Sequence, residues 1–454
     1  MSTESSTGSE RASRRRFLQG SSTAVAAMTL SGLARPVHAA GDDTLKVALV
    51  GCGNRGTGAA ANSLQVAGPV RLWAMADAFE DRLEQSLGIL QSGGALRRKR
   101  VPSEVAARVD VPRERRFVGL DAYRHAIDAA DVVILTAPPG FRPEQFEYAV
   151  EQGKHVFMEK PVATDPRGVA RVVAAGKVAQ RKGLKVGVGL QRHHDPKYLE
   201  TIQRLRDGAI GKLQTLRCYW NGGTIKRPVD RASLTEMQYQ VRNWYFFTWL
   251  SGDHIVEQHV HNLDVCNWVM GGPPVSAVGS GGRLMRVGKD YGDIFDHHAV
   301  EYTYADGTKM FGFCRQMPGC DPLVGEFAVG TYGSAEISKA RLEGRDGSWR
   351  YPRIRSGSVS GPVNPYQAEH DALFAAIRND TPHNEVATGA SATLTAILGR
   401  SATYTGRTVS WDEVATSERM LGPDQIVGWQ TMPRTLPDDD GLYPLPKPGI
   451  VREV

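Results

Sequence analysis

A glycine-rich turn between a short apolar run and an alanine-rich stretch constrains this chain more than any other feature. Residues 45–50 form the apolar run, and residues 51–56 carry glycine at their first, third and sixth positions. The first glycine permits a tight turn, the second lets a pyrophosphate approach the backbone, and the third lets helix pack on strand. Amides at the helix N-terminus then face the phosphates. The pattern predicts a doubly wound parallel α/β domain that binds a dinucleotide.

An acidic residue, Asp77, ends the second predicted strand. A carboxylate at this place binds the adenosine ribose hydroxyls and repels a 2′-phosphate. It therefore favours NAD, while the nearby Arg82 leaves NADP open, and capping of the next helix is the alternative role of Asp77. Thr136 and Pro138 lie at the end of a further buried run at 131–136, and such strand ends line a cofactor crevice.

The first 39 residues have the pattern of a signal that is removed. Arginines 14 and 15 precede Phe-Leu and then an apolar stretch at 21–33, and residues 37–39 have the small-x-small pattern that a signal peptidase cuts. The segment resembles a twin-arginine signal. It predicts export of the folded chain to the periplasm or an equivalent compartment, with no membrane anchor after cleavage. A disordered basic tail or a membrane anchor is the alternative, although the apolar stretch is short for a bilayer span.

Composition and length exclude several classes of protein. The formal charge of +6 falls to +3 without residues 1–39, and such a weak surplus does not predict binding to nucleic acid or to anionic membranes. The five cysteines lack the spacing of a zinc site or a dense disulfide framework. The remaining length exceeds one ordinary core, so we expect two domains. The predicted segments are a signal at 1–39, a dinucleotide-binding domain at 44–165, a second domain at 166–410 and a C-terminal extension at 411–454.

Several strings in order resemble the Gfo/Idh/MocA family of oxidoreductases. They are the glycine turn, Asp77, the Glu-Lys-Pro string at 159–161, residues 191–196 and residues 208–212. The resemblance implies a Rossmann domain followed by an α+β domain with a large, open, mostly antiparallel sheet. It also implies NAD or NADP as cofactor, a carbohydrate substrate, and a homodimer or homotetramer.

The resemblance places Lys160 beside the reacting carbon, with Glu159 and Pro161 fixing its loop. An ammonium group there can stabilise alkoxide character or relay a proton at a hydroxyl under oxidation. A solvated surface lysine is the alternative. The predicted cofactor-binding residues are Gly51, Gly53, Asn54, Arg55, Gly56, Asp77, Thr136, Pro138, Glu159 and Lys160.

A second group of acid and histidine residues lies at 252–264. If this segment is helical, Glu257 and His261 share one face at i and i+4, and His254 joins them one turn earlier. A carboxylate can orient an imidazole that accepts the proton of a substrate hydroxyl. We therefore predict Lys160, Glu257 and His261 as catalytic residues. Convergence of His254, Glu257 and His261 on zinc is the alternative, but the family implied by the resemblance commonly works without metal, and no metal is predicted.

The segment at 242–249 is unusually aromatic. Aromatic faces stack on sugar rings, and an arginine can hold hydroxyls or a carboxylate. A core strand or a subunit contact is the equal alternative. The predicted substrate-binding residues are Arg192, Trp244, Tyr245 and His254.

Hydride transfer between a nicotinamide cofactor and a sugar, polyol or glycoside hydroxyl is the leading functional hypothesis. Because export separates the protein from the cytoplasmic supply of nucleotide, we expect a tightly bound cofactor and redox-neutral chemistry. One alternative is a glycoside hydrolase that oxidises its substrate transiently, eliminates the aglycone, adds water and reduces the product back. A non-catalytic sugar-binding protein is a further alternative.

Overall fold

The computed structural model describes residues 43–96, 99–223, 228–352 and 363–452. The predicted signal at 1–39 lies outside the described residues. From Thr44 onward the chain forms one compact unit. No helix within the described ranges combines the length and the hydropathy that a membrane span requires.

The amino-terminal part of this unit builds a parallel sheet. Its elements in chain order are β1 (Leu45–Val50), α1 (Asn54–Ser63), β2 (Val70–Asp77), α2 (Glu80–Ser92), β3 (Ala95–Leu96), β4 (Lys99–Arg100), α3 (Ser103–Ala106), β5 (Arg116–Val118), α4 (Tyr123–Asp128), β6 (Val132–Leu135), α5 (Arg142–Glu151), β7 (His155–Met158), α6 (Pro166–Arg181) and β8 (Val186–Val188). Six of these strands lie parallel in the order β5-β2-β1-β6-β7-β8, while β3 and β4 form a separate antiparallel pair.

Both faces of the parallel sheet are covered. Side chains alternate along β1, so Ala48 and Val50 join an apolar cluster with α5 and α6, whereas Val47 and Leu49 join a second cluster with α1 and α2. A strand that is buried on two faces needs a continuous apolar sequence, which explains the run that precedes the glycine turn.

The rest of the unit builds a larger sheet and the helices around it. Its elements are α7 (Pro196–Arg206), β9 (Leu213–Gly222), α8 (Glu236–Arg242), α9 (Thr248–Ser251), a π-helical turn (Ile255–His259), α10 (Val260–Met270), β10 (Ser276–Gly282), β11 (His297–Thr303), β12 (Lys309–Gln316), β13 (Leu323–Gly330), β14 (Gly333–Glu336), β15 (Arg341–Gly344), β16 (Gly347–Arg350), α11 (Pro365–Arg378), α12 (Val386–Thr405), β17 (Val409–Ser410) and α13 (Trp411–Ala415). The nine strands have the order β16-β15-β14-β13-β9-β12-β11-β10-β17, and every neighbouring pair is antiparallel except β9 with β12.

One face of the larger sheet is buried, and α12 joins it to the first sheet. Burial alternates residue by residue along β11 and β12, as expected for a half-buried antiparallel sheet. Thr393 on α12 accepts a hydrogen bond from the amide of Val162 (3.1 Å), and Arg400 donates to the carbonyl of Thr164 (2.7 Å). The predicted fold class is therefore confirmed. The domain boundaries at 165 and 410 stay predictions.

Candidate active site

The glycine turn has the geometry that a pyrophosphate requires. Gly51 has φ +92°, and a Cβ atom there would lie 2.3 Å from the backbone nitrogen of Ala137. A Cβ on Gly56 would lie 2.0 Å from the carbonyl oxygen of Gly51, whereas Gly53 faces open space. Gly53 is also the N-cap of α1, which has no side-chain cap and no acidic residue in its first turn. The uncapped amides and the open backbone therefore fit the phosphates of a dinucleotide.

We expect Gly51→Ala to lower the free energy of unfolding by about 2–4 kcal/mol, because the new methyl group meets backbone at a positive φ. Gly53→Ala is the matched control, since its Cβ has room and its backbone is already extended. Chemical unfolding checks both variants. Gly53→Ala should keep the stability of the parent protein and lose affinity for NAD. A Gly51→Ala variant as stable as the parent would contradict this assignment of the turn.

Thr136 supports the turn from the next strand of the sheet. Its hydroxyl lies 2.7 Å from the carbonyl oxygen of Gly51 and 3.0 Å from that of Val50. Pro138 follows at the start of a 3-10 turn, and Asn54 is exposed at the beginning of α1. These predicted cofactor residues therefore lie at the carboxyl edge of β1 and β6, where ligands bind in doubly wound sheets.

Asp77 lies against the glycine turn. Its Oδ2 accepts a hydrogen bond from the amide of Cys52 (2.6 Å), and its Oδ1 accepts one from the amide of Phe79 (2.9 Å). Burial raises the pKa of this carboxyl above its ordinary value. Each carboxylate oxygen can accept a further hydrogen bond. Asp77 therefore fits the ribose role, and the same contacts fix the chain where it enters α2.

Arg55 and Glu159, both predicted to contact the cofactor, form an ion pair with each other. Arg55 also lies 3.4 Å from the carboxylate of Glu369 on α11. Burial and the negative charge of Glu159 raise the pKa of Glu369 well above its ordinary value. Arg55 thus connects the glycine turn to the loop that carries Lys160, and nothing in the sequence except the charges themselves indicates this pairing.

Lys160 and Glu257 form the centre of the candidate site. The Lys160 ammonium group donates to the backbone carbonyl of Glu257 and lies 3.3 Å from its Oε1. Both side chains are nearly buried, with 9% and 12% of their surfaces exposed. A lysine ammonium has three N–H donors, and the described residues engage two of them. The third is therefore available to a ligand oxygen.

The segment before α10 corrects the predicted arrangement of Glu257 and His261. Residues 255–259 form a π-helical turn rather than a continuous α-helix, so the regular i, i+4 relation is lost. The Glu257 carboxylate accepts hydrogen bonds from Lys160 and Gln258, and no hydrogen bond joins it to His261 within the described part of the chain. Burial raises the pKa of Glu257, although the charge of Lys160 opposes the shift.

His261 lies near the amino end of α10 and is nearly buried. Its Nδ1 is buried without a hydrogen-bond partner among the described residues, and its ring stacks on Trp220 with centroids 6.0 Å apart. Burial, together with the positive charges of Lys160, Arg192 and Arg55, lowers the pKa of His261 well below its ordinary value. The imidazole is therefore neutral near pH 7 and able to accept a proton.

Arg192, predicted to bind substrate, supports the backbone of His261 instead. Its guanidinium donates to the carbonyl oxygen of His261 (2.9 Å) and forms an ion pair with Glu326 on β13. Glu326 has no exposed surface, and it also accepts hydrogen bonds from Asn262 and Tyr198. Sequence reasoning missed Glu326. The available signal was a glutamate within an otherwise apolar strand.

His254 is completely buried and lies outside the site around Lys160. It has no exposed surface, and its Nδ1 lies 2.8 Å from Asp253 Oδ1. Asp253 also accepts hydrogen bonds from Tyr404 (2.7 Å) and pairs with His298 (3.2 Å). Burial lowers the pKa of His254 to about 4. A side chain with no exposed surface cannot contact a bound substrate, so the predicted substrate role of His254 is corrected.

The zinc alternative is not supported by this geometry. Within the described ranges, the residues with metal-ligand spacing are Asp253, His254 and His298, and this group excludes Glu257 and His261. The Asp253 carboxylate is already engaged by hydrogen bonds from its protein neighbours.

The aromatic segment contributes mainly to a third apolar cluster, which includes the buried side chains of Tyr245, Phe246, Phe247 and Trp249. Tyr245 is buried, and its hydroxyl accepts a hydrogen bond from Gln316. Burial raises the pKa of Tyr245 well above its ordinary value. Trp244 is half-buried and packs edge-on against Tyr245, with centroids 5.5 Å apart. Tyr245 is therefore a core residue, as the alternative interpretation of this segment expected. The substrate role of Trp244 stays a prediction.

A parallel Rossmann sheet with an open glycine turn, followed by a large mixed sheet, is the architecture of a dinucleotide-dependent oxidoreductase. Residues 45–190 match the oxidoreductase family described by its NAD-binding Rossmann fold, and residues 198–319 match the GFO/IDH/MocA C-terminal domain. The chain belongs to the Gfo/Idh/MocA family. The predicted cofactor class, NAD, is confirmed by the family of the first domain.

Individual relatives are distant and match only in part. Myo-inositol dehydrogenase Hyg17 of Streptomyces leeuwenhoekii is 30% identical over 154 residues, which cover 34% of this chain and 41% of that protein. A 2,7-anhydro-N-acetylneuraminate hydratase of Mediterraneibacter gnavus is 27% identical over 178 residues, with 39% and 43% covered. The chain thus spans less than half the length of these two relatives. Levoglucosan dehydrogenase in complex with NADH and levoglucosan shares the fold, with a TM-score of 0.61, 16% identity, and 81% and 99% covered.

Proposed function

We propose that this chain is an NAD-dependent oxidoreductase that transfers a hydride from a hydroxyl-bearing carbon of a sugar, polyol or glycoside. The contact of Lys160, in the loop after β7, with Glu257 is the observation that carries the proposal. The lowered pKa of the nearby His261 agrees with it. The names of the inositol and levoglucosan dehydrogenases support the class of substrate.

The chain's own residues fit the cofactor at two places. The open glycine turn and the uncapped amides of α1 would hold the pyrophosphate, and Asp77 would hold the adenosine ribose. Bound NAD supplies the hydride acceptor. Removal of a hydride from carbon leaves the hydroxyl proton for the protein to take.

His261 and Lys160 have different roles at the substrate oxygen. The neutral His261 imidazole accepts the hydroxyl proton, and the remaining N–H of Lys160 stabilises negative charge on the same oxygen. Glu257 holds the Lys160 ammonium group in place through its carbonyl and its carboxylate. Arg192 and Glu326 fix the backbone of His261 from behind.

Formation of NADH tests the proposed oxidation directly. The purified protein is incubated with NAD and with inositols, aldoses and anhydrosugars in turn, and nicotinamide absorbance is followed. At least one of these classes should give substrate-dependent reduction. If the protein binds NAD but neither reduces it nor converts any of these compounds, the proposed function is wrong and the sugar-binding alternative gains support.

A redox-neutral lyase or hydrolase is the second candidate, and the relative named as a hydratase favours it. The same residues would serve a transient oxidation that acidifies the neighbouring C–H bond, after which elimination, addition of water and reduction complete the cycle. Product analysis distinguishes the two functions. Release of an aglycone or hydrated product without net NADH supports this candidate, whereas net NADH supports simple oxidation.

We also propose export through the twin-arginine route and assembly as a homo-oligomer. Export is supported by arginines 14 and 15 and by the residues that follow them. Replacement of both arginines with lysine should leave the protein in the cytoplasm, and unchanged export would refute the proposal of export.

Sedimentation analysis tests the proposed homo-oligomer, which we expect to be a dimer or a tetramer. A monomer at micromolar concentration would refute this proposal.

A further inference from the structure

The C-terminal extension, beyond both ranges that match the family, packs against α8 and against the start of α6. The amide of Leu421 donates to Asp165 Oδ2 (2.9 Å), the carbonyl of Trp429 accepts from Thr235 (2.9 Å), and the carbonyl of Thr435 accepts from Gln240 (2.8 Å). Further along, the Tyr443 side chain is buried and its hydroxyl donates to Glu236. Four separated contacts therefore fix a segment without regular secondary structure.

Trp429 in this extension stacks on Phe79, with ring centroids 5.1 Å apart and an interplanar angle of 26°. The guanidinium of Arg242 also lies over the Phe79 ring, 3.9 Å from its centroid, and pairs with Asp81 (2.9 Å). Phe79 and Trp429 are both half-buried. Two aromatic rings and one guanidinium thus form a single partly exposed surface.

This surface lies at the edge of the sheet where a dinucleotide would bind. Phe79 follows the carboxyl end of β2, and Leu120 and Phe141 follow β5 and β6. All three, like Trp429, are partly buried and pack against the third apolar cluster. The amide of Phe79 donates to Asp77, the residue suited to the adenosine ribose. The base attached to that ribose would therefore meet the surface formed by Phe79, Arg242 and Trp429.

We propose that Phe79, Arg242 and Trp429 form a binding surface for the adenine of the dinucleotide, and that the C-terminal extension retains the cofactor by supplying Trp429. The proposal rests on the proposed function because it takes NAD as the ligand. Aromatic rings and guanidinium planes stack on nucleobases, and each such contact stabilises a bound base appreciably. The extension thereby slows cofactor release, as the proposed export away from the cytoplasmic nucleotide supply would require.

The dissociation rate of NADH from the full-length protein tests the proposal. NADH is bound to the protein and then displaced by excess NAD, and its fluorescence is followed with time. Trp429→Ala should release NADH about 5- to 100-fold faster than the parent. Val427→Ala is the matched control, since Val427 is 86% exposed on the same segment and should leave the rate unchanged. Trp429→Phe, which keeps an aromatic face, should restore most of the slow release.

A probe that lacks adenosine separates direct contact from general disruption. Reduced nicotinamide mononucleotide should bind the parent and Trp429→Ala with equal affinity. Equal NADH release rates in the parent and Trp429→Ala would overturn the proposal, and so would equal weakening of both probes. Trp429→Leu, which keeps apolar packing, gives the same comparison if the alanine variant does not fold. Failure of the parent itself to bind NADH would instead refute the proposed function.

Discussion

Lys160→Met is expected to lower kcat by about 10²–10⁴-fold, the range of a positioned acid–base or charge-stabilising group. Methionine keeps most of the apolar length of the side chain and removes its charge and its donors. The variant thus loses the N–H that the described residues leave for the substrate oxygen, and Glu257 loses its cationic partner. The affinity for NAD should change far less than kcat, because the glycine turn and Asp77 are untouched. Steady-state kinetics and an NAD titration measure both quantities.

Lys177→Met provides the matched control for this loss. Lys177 is exposed on α6 and is not one of the candidate site residues. The control variant should keep the kcat of the parent within about twofold. A Lys160→Met variant with nearly parental kcat would show that Lys160 acts neither as a donor nor as a charge at the reacting oxygen.

His261→Asn is expected to lower kcat by about 10²–10⁴-fold and to change the dependence of the rate on pH. The pKa of His261 lies well below 6.5, so the imidazole is neutral, and active as a base, throughout the neutral range. Activity of the parent should therefore persist as the pH falls through 6.5, and decline only at more acidic values where the imidazole takes up a proton. The asparagine variant should lack that acidic decline, because the titrating base is gone. Rate profiles of kcat/KM against pH for both proteins provide the measurement.

His125→Asn is the control, since His125 is an exposed histidine on α4. It should keep both the rate and the pH profile of the parent. A parental profile in His261→Asn as well would assign the proton transfer to another group, and Glu257 would be the next candidate because burial raises its pKa.

The first sheet and its cofactor turn were predictable because their signals are local. The run at 45–50 must be apolar to lie between two layers of helices, and glycine at 51 and 56 is required by backbone that a methyl group would overlap. Asp77 was predictable for the same reason, because the carboxyl end of β2 places it against the glycine turn that follows β1. These features depend on a few neighbouring residues and on the regular geometry of parallel strands.

The second half of the site was less predictable because it depends on a departure from regular helix. The amino acids at 252–264 suggest one α-helix, but a π-helical turn at 255–259 redirects Glu257 to Lys160. Lys160 comes from a distant part of the chain, and its position relative to Glu257 follows from the packing of the two sheets. No periodicity within the segment contains that information.

Buried charges outside any motif escaped prediction for a related reason. Arg192 carries the features of a ligand-binding arginine, yet Glu326, far along the chain and in the middle of β13, neutralises it. Only the fold brings the two together. The C-terminal extension gave no periodic signal either, because single side chains such as Trp429 and Tyr443, rather than a regular face, attach it.

Transfer of an isotope from substrate to nucleotide tests the central claim most directly. The protein is incubated with NAD and with a polyol or sugar deuterated at its hydroxyl-bearing carbons, and the nucleotide is analysed by mass spectrometry. One deuterium should appear in each reduced nucleotide with the parent and with Lys177→Met, and almost none with Lys160→Met in the same time. A parent protein that converts the substrate while its nucleotide stays free of deuterium, or a Lys160→Met variant that labels it as fast, would contradict hydride transfer at this site.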